Sequence, residues 1–415
     1  MELQERRRQR LCRIIDLAQT YRGWTRRELA RALRRDPTKL VPSSGVPKLD
    51  LVVDLATVLD WSVEDVVSFF WNGPDGGAND ALPAGDFEAL DDMMREAHRE
   101  GRYTLMVDLA RQAFDVAEDP EQRARACNRE AGGWDGLGRY QNSLKAVQQG
   151  LRQSPVPGPY RRMLQSNLAN AYYSLWSLVE ARAVANDLVS WYEECPPDSL
   201  RDRKTLAFAR YVAGHACRRL MSLEDDRREY FAKVALRDLE ASMDAYEAIA
   251  GETGDDSFRG IADTCRGGLL EPQVALGRLD PRDAIDAVTA RLETADADLR
   301  GDRAESIGWW CIFGCNIALR HLTDERELQS HMAVFTNKAD EIAERLDSWT
   351  IRERVFTMEH TRWERAIGCT GFDIPCVVDH DDVRIITGTM ARFPTFRETG
   401  WKILNTARVV GEDLG

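Results

Sequence analysis

Cys311 and Cys315 stand four residues apart, one turn of a helix, where two thiols could ligate a metal or form a redox pair. His380-Asp381-Asp382 could hold a cation in the same way. Neither group gathers into a full set. There is no C-x-x-C, the six histidines are dispersed, and H-E-x-x-H and G-x-S-x-G do not occur. Gly136-Leu137-Gly138 lacks the preceding strand and the later glycine of a phosphate loop. The two cysteines read as small apolar residues on a helix packing face. The Asp-rich stretch at 380–382 reads as a helix N-terminal cap, and Glu359-His360 with Arg362 need only solvent. The expectation is a protein that is not an enzyme and holds no cofactor or metal.

The chemistry left is electrostatic. The first fifty residues hold 13 Lys and Arg against 6 Asp and Glu, while the whole chain of 415 residues stands at −13. A basic head on a long acidic body is the pattern of a nucleic-acid-binding module joined to a sensing or docking domain. The length calls for two domains or a repeat array. Nine cysteines scattered singly read as reduced thiols. The charged start at Met1–Arg8 carries no apolar run, and no window approaches a membrane span. A cytoplasmic protein with no membrane partner is expected.

The elements that must position this charge read as helices throughout. Five are expected in the head, residues 1–72. The first runs from Gln4 to Tyr21, with five arginines (6, 7, 8, 10 and 13) on its first half. Thr25-Arg26-Arg27-Glu28 is a capping box that starts a second helix, Arg26–Arg34. Leu51, Val52, Leu55, Ala56, Val58 and Leu59 form the stripe of a fourth, and Ser62-Val63-Glu64-Asp65 caps a last one, Val63–Phe70. Pro42 limits the third helix to a single turn. Residues 73–85, rich in Gly, Pro, Asn and Asp, read as a linker. From 86 to 415, helical stretches alternate with short breaks and no convincing strands, which predicts stacked helix pairs in a solenoid.

Gly23-Trp24-Thr25-Arg26-Arg27-Glu28-Leu29-Ala30-Arg31-Ala32-Leu33, followed by Leu51–Leu59 and Asp60–Val67, resembles the Cro/repressor-type (XRE family) helix-turn-helix domain. The resemblance covers about 50 residues and implies an all-α DNA-binding head. It assigns Arg26, Arg27 and Lys39 to phosphates, with Lys48 on the same DNA-binding surface. Thr38, Ser43 and Ser44 would approach the bases. The segment between Leu33 and Pro47 is about three residues shorter than in that family.

Ala124, Ala131, Trp134, Tyr140, Ser143, Val147, Gly150 and Pro155 resemble the small and aromatic positions of a tetratricopeptide (TPR) repeat. The next stretch is similar more loosely. Later helix pairs, at about 200–250, 255–299, 301–346 and 349–392, keep only the length, and 395–411 reads as a terminal helix. On that repeat count Arg125, Asn128, Asn167, Asn170, Tyr173 and Arg210 would face a groove. There paired amides could satisfy the backbone of an extended peptide. Trp134, Tyr172, Trp176, Trp191, Trp309 and Trp310 are assigned to packing.

A helix-turn-helix head on a TPR-like body is similar to bacterial peptide-responsive (quorum-sensing) regulators. The function this implies is a DNA-binding transcription regulator whose body senses a peptide or protein ligand and forms a homodimer. The alternative is a TPR scaffold or adaptor with a degenerate, non-DNA-binding head.

Overall fold

Helices begin where side chains can take up their first amide groups. The Thr25 hydroxyl accepts from the Glu28 amide at 3.4 Å, and the Glu28 carboxylate accepts from the Thr25 amide at 2.8 Å, which is the reciprocal cap expected there. The computed structural model describes residues 2–42, 46–61, 63–64, 66–67, 85–295, 300–370 and 377–409. Ser43 and Ser44 lie outside the described residues, as do Ser62, Asp65, the stretch from 68 to 72 and the linker as far as 84. The chain divides into two units, Met1–Ala84 and Gly85–Gly415. Its fold is all-α.

The first unit holds α1 (Glu2–Arg22), α2 (Arg26–Ala32) and α3 (Leu49–Leu59). Val63, Glu64, Val66 and Val67 are helical as well. Leu11, Ile14, Ile15 and Ala18 of α1 meet Leu29 and Ala30 of α2 and the α3 stripe in one core. Two expectations are corrected. The second helix stops at Ala32, because Arg34 takes a left-handed conformation at φ 54°. The third element is a single turn, as expected, but among the described residues it is a hydrogen-bonded turn from Asp36 to Lys39 and not a helical one. The Asp36 carboxylate closes that turn by accepting from both the amide and the hydroxyl of Thr38. Such a local bond offers the backbone an alternative to helix.

The second unit runs through α4 (Phe87–Arg99), α5 (Tyr103–Val116), α6 (Pro120–Gly136), α7 (Tyr140–Leu151), α8 (Gly158–Ser174) and α9 (Leu178–Glu194). It continues with α10 (Leu200–Leu223), α11 (Arg228–Thr253), α12 (Asp256–Gly268), α13 (Leu270–Ala275) and α14 (Pro281–Glu293). The last elements are α15 (Asp302–His321), α16 (Glu325–Leu346), α17 (Trp349–Thr370), α18 (His380–Arg392) and α19 (Arg397–Thr406). Each helix packs on its sequence neighbours, and the first helices of successive pairs also touch: α4 on α6, α6 on α8, α8 on α10 and α12 on α15. None of the described helices is long and apolar enough to cross a membrane.

Among the described residues, the segment expected as one pair at 255–299 holds three helices. Pro272 has no N–H to offer the carbonyl of Gly268, so the chain breaks between α12 and α13. The terminal helix also ends early. After α19, Arg408–Val409 (β2) pairs in parallel with Val377–Val378 (β1).

Buried carboxylates tie the pairs together. Asp91 on α4 receives Arg125 at 2.8 Å and Arg129 at 2.7 Å from α6. Asp202 on α10 takes the Tyr192 hydroxyl at 2.6 Å and Arg162 of α8 at 3.1 Å. Asp263 on α12 takes Arg291 of α14 at 2.9 Å and the Ser306 hydroxyl of α15 at 3.0 Å. Burial raises the Asp91 and Asp202 carboxyls, but the donors directed at them win and hold both below the usual carboxylate range.

Candidate functional site

In the first unit Arg26, Arg27, Thr38, Lys39 and Lys48 are all exposed. Arg26 reaches across from α2 and donates to the Pro37 carbonyl at 3.1 Å, which fixes α2 against the Asp36–Lys39 turn. None of Arg26, Arg27, Lys39 or Lys48 forms an ion pair with a described residue. Thr38 is less available than the sequence implied. Its hydroxyl is bonded to Asp36 at 2.5 Å, and that hydroxyl, then the Thr38 amide, holds the Asp36 carboxyl down. A negative charge therefore sits beside Lys39. Arg35 turns inward to Asp50 at 2.6 Å and anchors the turn to α3.

In the second unit most of the expected groove residues are already engaged. Arg125 is clamped between Glu88 and Asp91, at 2.7 and 2.8 Å, and so works in the packing of α6 on α4. Arg210 lies between Glu193 and Asp238, at 3.8 and 3.7 Å. Asn167 donates its amide to Asn128 at 2.7 Å, so the amide pair that forms is between helices and not the Asn167/Asn170 pair expected on one helix. Of the six, Asn170 and Tyr173 line a cavity.

That cavity is large, about 550 Å³, within the range of small-molecule sites. Its walls are aromatic: Tyr103, Tyr140, Tyr173, Trp176, Phe208, Tyr211, Trp309, Trp349 and Phe393. Trp176 and Trp309, assigned to packing from sequence, therefore present surface to it, whereas Trp310 is buried with its ring N–H on the Asp263 carbonyl at 2.9 Å. Trp349 closes one side by lying against Gly138. A Cβ there would come within 2.9 Å of the indole, and the φ of 65° excludes most other residues as well.

The lining carries five carboxylates: Asp347 and Glu353 pair with Arg352 and Arg354, whereas Asp135, Asp302 and Glu305 form no ion pair with a described residue. Burial pushes the Asp135 carboxyl up to about 6. Burial and then the Asp302 charge push Glu305 up to about 7, against the Trp309 ring N–H that it accepts at 3.2 Å. Asp302 is raised by burial and by Asp255. Arg219 lines the same space at 8% exposure, stacked on Tyr173 and Trp176 with its guanidinium carbon 4.1 and 4.2 Å from the ring centres. Its one hydrogen bond among the described residues is long, 3.5 Å to the Tyr173 carbonyl. Burial, with Arg218 and Arg354 nearby, pushes its pKa down to about 10, and it remains a cation at neutral pH.

Sequence reasoning passed over these four charged residues. Asp302 and Glu305 fall in the first turn of α15, where acidic residues are explained by the helix dipole alone. The available signal was Glu305 with Trp309, four apart on one helix face. Arg219 gave none, since Arg218 beside it looks the same and is paired with Glu271.

The remaining sequence candidates have plain structural roles. Asp379 and Asp382 form a reciprocal cap on α18, so the Asp-rich stretch caps a helix. Cys311 and Cys315 are buried in the apolar core around α15. No group of ligating side chains among the described residues could hold a metal ion.

No family model matches the chain, and no curated protein matches it. Among solved structures the chain is similar to Bacillus thuringiensis PlcR in complex with the peptide PapR7 and DNA. The likeness covers 79% of this chain and 99% of that one, at 14% identity and a TM-score of 0.36.

Proposed function

We propose that the chain is a cytoplasmic DNA-binding transcription regulator of helix-turn-helix plus TPR-like build, whose body binds a ligand and holds two copies together. The observation that carries this reading is the contrast in how arginines are used. In the body they are largely spent on carboxylates, whereas Arg26, Arg27, Lys39 and Lys48 in the head stay exposed without ion pairs to described residues. A packing module has no use for such charge, but phosphates do. As a mechanism, the dimer presents two heads at half-sites roughly 34 Å apart, about one DNA turn. A ligand that favours one curvature of the helical stack shifts that spacing.

One observation favours the second reading, a scaffold with a degenerate head. The segment that should enter the major groove is a turn closed by Asp36, and Thr38 is tied to it. The same experiment decides between them. The combined changes R26Q, R27Q and K39Q should weaken binding to every DNA sequence and flatten its salt dependence, by about 0.9 in log–log slope for each phosphate no longer neutralised. Unchanged binding, or no binding by the unaltered chain at low salt, leaves the scaffold.

A further inference from the structure

We propose that the cavity of the second unit takes a small zwitterion, its ammonium lying among Asp135, Asp302 and Glu305 and its anionic end on Arg219. This rests on the reading of the body as a ligand-binding domain and adds the chemical class of the ligand.

Two independent features of the site point the same way. A guanidinium at 8% exposure with one long hydrogen bond and no carboxylate within ion-pair distance among the described residues is costly to bury; Glu353, also in the lining, attracts it from further off and is shared with Arg354 at 3.7 Å. Elsewhere in this unit buried charges are matched, as Arg218 is by Glu271. The unmatched Arg219 faces an open volume, so the missing anion belongs to whatever fills it. On the opposite sign, Asp135, Asp302 and Glu305 line that volume without a basic partner among the described residues and interact with one another. They do not converge into a metal site. An ammonium suits them better than a metal ion, since a hydrogen bond to one of them and attraction to the other two suffice to hold it.

Trp309 joins the two ends. Its ring N–H donates to Glu305 at 3.2 Å, and its ring centre lies 6.0 Å from the Arg219 guanidinium. One small molecule can therefore reach both charges while its body lies on the indole. Aromatic walls add cation–π attraction for the ammonium. A free amino acid and a short peptide with free ends share this chemistry.

The test uses the full-length protein without DNA. It is incubated with one pool of free L-amino acids and one of random short peptides with free termini, and retained molecules are identified by native mass spectrometry. The same pools after N-acetylation serve as the comparison. Retention of a free-amine member is expected, weaker by about tenfold or more on acetylation and likewise with R219Q or E305Q, the loss of one charged hydrogen bond. The pool that supplies it identifies the source. Three results overturn the proposal: no retention from either free-amine pool, equal retention of acetylated members, or indifference to R219Q. The acetylated arm needs no variant, so misfolding cannot account for it. DNA binding is read separately, so loss of the zwitterion would leave the head's function standing, and the reverse.

Discussion

Asp91 and Glu305 are both acidic residues set among helices of the same unit, yet they have opposite fates. Asp91 is 1% exposed and receives Arg95, Arg125 and Arg129; the donors outweigh burial, and it stays ionised. Glu305 has one ring N–H and no cation among the described residues, and burial pushes it up to about 7. The first joins helices and the second waits on a partner. Residue type does not separate a structural carboxylate from a binding one; the supply of donors does.

The comparison can be broken from either side. The largest effect is expected for Asp91→Ala. It leaves Arg129 without its carboxylate and Arg125 with Glu88 alone, and should cost about 3 kcal/mol in urea unfolding. A loss under about 1 kcal/mol would mean that the Asp91 network does not hold α4 to α6. Next comes Gly260→Ala. Its Cβ would sit 2.5 Å from the Asp302 carbonyl carbon, where α12 and α15 touch backbone to backbone, and should cost about 1–3 kcal/mol by overpacking. Because that approach also sets the position of Asp302, ligand retention should fall with it.

The Glu305 prediction depends on pH. Its folded-state pKa of about 7 lies above the ordinary 4.5, so the folded chain binds the extra proton. Its contribution to stability is complete below pH 4.5 and is lost as pH rises to about 7, by about 1–2 kcal/mol for a partly solvated group. Glu305→Gln should therefore flatten the fall in urea midpoint between pH 5 and 8, whereas Asp202→Asn, at a carboxyl held low, should leave that window unchanged. Equal pH profiles for the unaltered chain and Glu305→Gln would erase the distinction. The smallest effect belongs to an exposed pair. Arg282→Ala removes a two-bond pairing with Glu327 at an exposed site and should leave the urea midpoint nearly unchanged, setting the scale for charge pairs outside the buried networks.

Much of the helical plan was legible along the chain. The Thr25–Glu28 cap, the α3 stripe and the breaks at Asp119-Pro120 and Asp280-Pro281 are local signals, and helices start or stop there. Misreadings arose where a local competitor went unrecognised: the Asp36 carboxylate, which makes the expected single turn non-helical, and Pro272 dividing α12 from α13. Of the candidate groove, only Asn170 and Tyr173 reached the cavity, because repeat counting gives the face of a helix but not the neighbour opposite it. Arg125 and Asn167 point toward partners in other pairs that no spacing rule could name.

Charge segregation between head and body, and the all-helical build, follow from composition and short-range periodicity, which operate within a few turns of one chain segment. The cavity does not follow from them. Tyr103, Asp135, Arg219, Glu305 and Trp349 come from five helices far apart in sequence. Whether each meets a donor, a ring or open space is settled by long-range packing, because burial and partner distance set the charge state of a side chain and neither is a property of its own segment.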